Sequence, residues 1–186
     1  MSSNLAYQEE PWEEKLNGKI VLMSPRPTVN HNWISGRIFV AFSNYLRGKT
    51  CIPFGDGTDV YLTENDHVIP DAMIICNKDI IQNDGIHGAP DLIVEVLSPS
   101  TAKKDRGYKK DLYEKVGVRE YWIVDPKLRS IEVYLLKDAK YELDEIYALP
   151  GDEMKDEEKA QCKVEIPVSL YVNFRISLEE IFYNLF

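Results

Sequence analysis

Apolar positions recur along this chain in two periods, and the switch between them divides it into elements. Over residues 31–47, Ile34, Ile38, Ala41, Phe42, Tyr45 and Leu46 recur at spacings of three and four, which predicts a helix with one buried stripe, Asn30 as its cap and Gly48 as its stop. His31 lies on that stripe. The ordinary role for it is a capping or core histidine satisfied by backbone, and the alternative is a place in a functional site. Before the helix, a polar arm containing Trp12 leads into a short strand at 19–23, closed by Ser24-Pro25-Arg26-Pro27. After it, 50–54, 58–62 and 68–75 read as strands, with Gly55-Asp56-Gly57 and Glu64-Asn65-Asp66 between them, so an antiparallel meander is the economical arrangement.

The helical period returns at 102–116, where Ala102, Asp105, Lys109, Leu112, Tyr113 and Val116 share one face; the hydroxyls of residues 98–101 precede it and Gly117 ends it. The 120–125 run is a further buried strand stopped by Pro126, 131–136 pairs with it as a hairpin, and 141–149 is a candidate edge strand. The chain closes with a strand-like 162–172 region and a short helix at 177–183, where Ser177 and Glu180 fit a capping box.

One strand breaks the pattern. Leu92, Val94 and Val96 fall on one face of it and Asp91, Ile93, Glu95 and Leu97 on the other, with Pro90 and Ser98-Pro99 limiting it to about seven residues. Two mostly apolar faces belong in the middle of a sheet covered on both sides, where an unpaired ionised carboxylate costs several kcal/mol. Glu95 therefore needs a partner: a lysine, a hydrogen-bonding serine or a metal ion. Asp71 repeats the puzzle in the 68–75 run, although Pro-Asp also forms strand-end turns without any function. Lys109 is the lysine turned toward the sheet. Its plain alternative is an Asp105–Lys109 pair at four-residue spacing, worth a few tenths of a kcal/mol on an exposed helix.

With 186 residues, 44% hydrophobic and 28% charged, the chain fits one globular domain over 1–186, comprising an N-terminal arm (1–18) and a charged loop (150–160). The start lacks the basic and apolar segments of a signal peptide, and no run approaches membrane-spanning length, so a cytoplasmic protein without a membrane partner is expected. Cys51, Cys76 and Cys162 are scattered without metal-ligand spacing and read as reduced thiols, with no zinc site. The net charge of −9 argues against nucleic acid only until its distribution is considered. Residues 138–158 hold nine acids and two lysines, a balance of −7, leaving −2 for the other 165 residues. Residues 103–119 carry seven basic side chains against three acids, a balance of +4, beside the Glu95 strand. Lys103 and Lys104 are its candidate phosphate contacts.

Asp71 and Glu95 on neighbouring strands, with Lys109 on the helix that follows, make a set of hard oxygen donors suited to Mg2+ or Mn2+. A lysine beside them can position an attacking water and offset developing phosphate charge, so phosphodiester hydrolysis fits these parts.

At these residues the sequence resembles the Uma-two family of restriction endonucleases, within the PD-(D/E)xK nuclease superfamily. The resemblance runs from the His31 helix through Val68-Ile69-Pro70-Asp71, residues 90–101, Asp105, Lys109, Tyr113 and residues 117–126, about half the chain. It implies a restriction-endonuclease-like α/β fold, a mixed central β-sheet flanked by helices, and a magnesium-dependent endonuclease acting on DNA. By resemblance Asp71 and Glu95 are the two metal-binding acids. The superfamily lysine normally stands two residues after the second acid, where this chain has Leu97, so Lys109 supplies the amine from the helix. His31, Asp91 and Tyr113 take supporting roles: His31 near the site, Asp91 for a second metal or bridging water, Tyr113 orienting Lys109. Glu120, Trp122 and Asp125 share the pattern but have a sufficient structural explanation. Other readings are a catalytically inactive nuclease-like module for binding or interaction, and a hydrolase of another phosphoester; assembly as a homodimer is compatible with each.

Overall fold

A computed structural model of the protein describes residues 13–22, 27–151 and 153–186; the expectations placed on residues 1–12, Trp12 included, and on 23–26 lie outside these. The first half of the chain forms β1 (Glu13–Leu16), β2 (Lys19–Leu22), α1 (Val29–Leu46), β3 (Ile52–Gly55), β4 (Val60–Thr63), β5 (Asp66–Val68), β6 (Ala72–Ile75), β7 (Ile81–Gln82), β8 (Gly85–His87) and β9 (Leu92–Val96). Then come α2 (Ala102–Lys104), a π-helical segment (Asp105–Lys109), α3 (Lys110–Val116), β10 (Glu120–Asp125), β11 (Ser130–Lys137), β12 (Lys140–Ala148), α4 (Asp156–Lys159), β13 (Glu165–Pro167), β14 (Arg175–Ser177) and α5 (Leu178–Ile181).

The fold is mixed α/β. Its central sheet has the order β12-β11-β10-β9-β6-β3, and a second six-stranded sheet runs β2-β1-β5-β4-β8-β7. In the central sheet only β9 and β10 are parallel, and a parallel pair needs a crossover, which α2, the π segment and α3 supply. β9 is covered on both faces, as its apolar run requires. Leu92, Val94, Val96, Trp122 and Val124 pack against Ile34, Ile38 and Phe42 of α1 and against Phe174 and Ile176. Ile93, Tyr121 and Ile123 point the other way, onto Leu112 and Tyr113 of α3 and onto Leu16, Val60, Val68 and Ile86 of the second sheet. Each large side chain buried this way contributes about 1.5–3 kcal/mol, so the stripe on α1, rather than helix propensity, fixes where that helix docks.

Several expectations are corrected. No single meander forms: the 68–75 run breaks at Pro70-Asp71, so β5 pairs with β4 in the second sheet while β6 pairs with β3 in the central one. Pro70 has no N–H to continue a ladder, and the chain changes sheets there. The cap of α1 is Thr28, whose hydroxyl accepts from the His31 N–H at 3.2 Å; Asn30 instead binds the backbone of Phe186. Ser177 makes no side-chain cap bond, so the expected capping box is not formed, and α5 is held by the burial of Leu178 and Ile181. Only 165–167 of the 162–172 region is strand, and the charged 150–160 loop contains the short α4. Cys51 and Cys76 are not free thiols. They flank the paired Ile52 and Ile75 and are joined in a disulfide, while Cys162 is free.

Candidate active site

The β6–β9 register pairs Ala72 with Val94, and one further step sets Asp71 beside Glu95. Asp71 Oδ2 accepts from the Val96 N–H at 2.6 Å, so the carboxylate stands in for the ladder group that the Pro70 break removes. Its other oxygen lies 3.3 Å from His31 Nε2, which the first turn of α1 delivers to the end of the sheet. Glu95 occupies the odd-numbered face of β9, toward α3. There Oε1 accepts from Lys109 Nζ at 3.0 Å and from the Tyr113 hydroxyl at 2.6 Å. Lys109 and Tyr113 are four residues apart and so share a helix face. Tyr113 thus holds Glu95 rather than Lys109.

Two further carboxylates complete the cluster. Glu14 Oε1 lies 2.6 Å from Lys109 Nζ and also accepts from the Ile69 N–H at 3.3 Å. Asp105 Oδ1 lies 3.8 Å from the same amine. The Asp105–Lys109 pair is therefore not an exposed helix pair: both residues are buried, and neither Asp105 carboxylate oxygen has a hydrogen-bond partner among the described residues. The Thr101 hydroxyl eases the burial of Asp105 electrostatically without reaching hydrogen-bond geometry. Glu14 was missed from the sequence because it sits in a four-residue strand of polar composition. Glu13 and Glu14 are adjacent and chemically alike in sequence, and only the fold buries the second while leaving the first exposed.

Four acids, Glu14, Asp71, Glu95 and Asp105, thus face two basic groups, Lys109 and His31. Burial drives the Glu95 carboxyl well above its usual range; Lys109 opposes this, and the charges of Asp105, Asp71 and Glu14 add to it. Burial likewise raises Asp105, against the pull of Lys109. Burial acts to lower the Lys109 amine, but Glu95, Glu14 and Asp105 together raise it above the ordinary lysine value. For His31, burial lowers the pKa, and the hydrogen bond and charge of Asp71 overcome it, leaving a net rise. Exposed Asp56, at the tip of the β3–β4 turn, adds to that rise.

Asp91 is not brought to this cluster. It stands at the opposite end of the strand from Glu95, where Oδ2 accepts from the Cys76 N–H and Oδ1 pairs with Arg119. Lys103 is exposed and Lys104 half-buried at the start of the crossover helix. The surrounding positive charge is partly spent within the protein, since Arg106 pairs with Glu132. Glu120 is structural: it accepts from Trp122 Nε1 at 2.7 Å and from the Ser169 N–H at 2.8 Å, fastening the C-terminal segment to β10.

No group of three or more His, Cys, Asp or Glu side chains among the described residues is arranged as a metal cage. Magnesium does not require one, because it is commonly held by one or two carboxylates with water and substrate phosphate completing its shell. Asp71 and Glu95 fit that mode: both are hard oxygen donors, and they belong to a cluster with more acid than base.

The mixed central sheet flanked by helices is a restriction-endonuclease-like α/β fold, with Glu95 on β9, Asp71 just before β6 and Lys109 on the crossover. The family model described as Uma2, putative restriction endonuclease, matches residues 3–169, and the chain belongs to that family. It is 31% identical over 136 residues to the uncharacterized protein slr1290 of Synechocystis sp., covering 68% of this chain and 71% of that protein. The crystal structure of a putative nuclease belonging to DUF820 from Anabaena variabilis shares the fold, with a TM-score of 0.71 and 20% identity over 94% of this chain and 91% of that one. No helix among the described residues is long and apolar enough to cross a membrane.

Proposed function

We propose that this protein is a magnesium-dependent endonuclease of DNA, with manganese as a substitute. The observation that carries the reading is the placement of Asp71 beside Glu95 across adjacent strands with the Lys109 amine 3.0 Å from Glu95. Asp71 and Glu95 would hold the cation, which when bound polarises the scissile phosphate and lowers the pKa of an attacking water. Lys109 orients that water and offsets the negative charge that grows on the phosphate. His31 keeps the Asp71 carboxylate turned into the site, and Tyr113 does the same for Glu95. Lys103 and Lys104 would meet the DNA backbone, giving affinity without sequence preference.

The test is cleavage of mixed double- and single-stranded DNA with Mg2+, Mn2+ or chelator. Cleavage should need a divalent ion and disappear in Asp71→Asn and Glu95→Gln, whereas DNA binding should persist and weaken as salt rises. Binding without cleavage under every metal condition would instead identify a nuclease-like binding module. That second reading rests on one observation: the Lys109 amine is already bonded to Glu95, and the two Asp71 oxygens are taken by the Val96 N–H and by His31.

A further inference from the structure

We propose that Glu14, delivered by the N-terminal strand β1, is a positioning residue for Lys109, keeping the amine in place while Glu95 is engaged elsewhere. The inference rests on the nuclease reading for its consequence but on separate geometry for its substance. Lys109 Nζ lies 2.6 Å from Glu14 Oε1 and 3.0 Å from Glu95 Oε1, and all three side chains are at most 5% exposed. If Glu95 turns toward a bound cation, a lysine held by Glu95 alone would lose its partner at the moment it is needed. Glu14 prevents this. It has no competing duty among the acids assigned to the cation, and its oxygen is anchored by the Ile69 N–H, two residues before Asp71. One carboxylate therefore ties together the approach to the first acid and the amine that serves the second. The second sheet gains a functional reason for its position: β1 is hydrogen-bonded to β2 and β5, which fixes Glu14 over the crossover helix. Positioning groups behind an active residue commonly carry about 10–100-fold in activity.

The experiment compares the full chain with Glu14→Gln, which retains the shape and the Ile69 contact but removes the charge. In Mg2+ the variant should cut DNA with kcat reduced by about 10–100-fold and KM for DNA unchanged. The rise in melting temperature caused by Mg2+ should persist, because Asp71 and Glu95 remain. Independently of cleavage, acetylation of Lys109 by acetic anhydride, mapped by peptide mass and referenced to exposed Lys103, should be faster in Glu14→Gln than in wild type. An unchanged kcat or unchanged Lys109 acetylation overturns the proposal. Should Glu14→Gln not fold, Glu14→Asp, which withdraws the same charge by one methylene, carries the same measurements. A wild type that cuts nothing with either metal defeats the nuclease reading, and the acetylation result then decides the role of Glu14 by itself.

Discussion

Replacing Lys109 by Met tests the buried cluster most directly. Methionine keeps the length and most of the volume of the side chain, so little of the effect comes from a cavity. What disappears is, among the described residues, the one cation within 4 Å of Glu14, Glu95 and Asp105, at 2.6, 3.0 and 3.8 Å. Breaking a buried ion pair by removing one partner costs about 3–5 kcal/mol, because the remaining charge is left in a medium that solvates it poorly. For a chain of this length about 1 kcal/mol corresponds to 2–4 °C, so the melting temperature should fall by about 6–20 °C near pH 8. The loss depends on pH with a definite sign. The Glu95 carboxyl is held well above its usual range even with Lys109 present, and without the lysine it is held higher still. A carboxyl with a raised folded pKa contributes its stability fully below the unfolded value and loses it as pH rises through the folded value. The deficit of the variant should therefore be smaller at pH 5 than at pH 8. Calorimetry or thermal circular dichroism at both pH values measures it, and a variant melting within about 2 °C of wild type at pH 8 would refute the buried cluster. An exposed i,i+4 pair would have given only a few tenths of a kcal/mol.

Three other outcomes concern the metal, His31 and the cysteines. Magnesium or manganese should raise the melting temperature, and Glu95→Gln should remove that increment; an increment that survives in the variant places the ion elsewhere. His31 has a raised folded pKa, so its pairing with Asp71 stabilises fully below about pH 6.5 and is lost as pH rises through the raised value; the stability difference between wild type and His31→Gln should shrink from pH 6 to pH 9, and a constant difference would contradict it. Thiol titration of denatured, unreduced protein should find Cys162 alone, rising to all three cysteines after reduction, whereas three thiols before reduction would exclude the Cys51–Cys76 bond.

The elements with a strong period were legible in the sequence. The α1 stripe, the two-sided β9, the crossover helix and the β10–β11 hairpin all lie where their patterns place them, because burial of an apolar face rewards only one periodicity. Boundaries were less legible where short polar segments are involved. Thr28 and Asn30 are both acceptable caps by residue type, and the choice fell to the contact that Asn30 makes with Phe186, 156 residues away.

Sequence by itself determined that Glu95, Asp71 and Lys109 are anomalies needing partners, since a charge in an apolar stripe is costly wherever the stripe is buried. The alternation of periods and the family resemblance together pointed to the α/β class. Which partners those charges take was decided only by tertiary structure. The 68–75 run had no local reason to divide between two sheets until Pro70 met a neighbouring strand whose ladder it could not continue. Glu14 lies 95 residues before Lys109, and nothing in its own strand marks it as the acid closest to that amine. Likewise Asp91 and Asp105 are similar carboxylates in sequence, yet Arg119 and a backbone amide claim the first while the second is buried with no hydrogen bond to its carboxylate among the described residues. Charge pairing acts over a few ångströms in space, and chain separation carries no information about it until the sheets have packed.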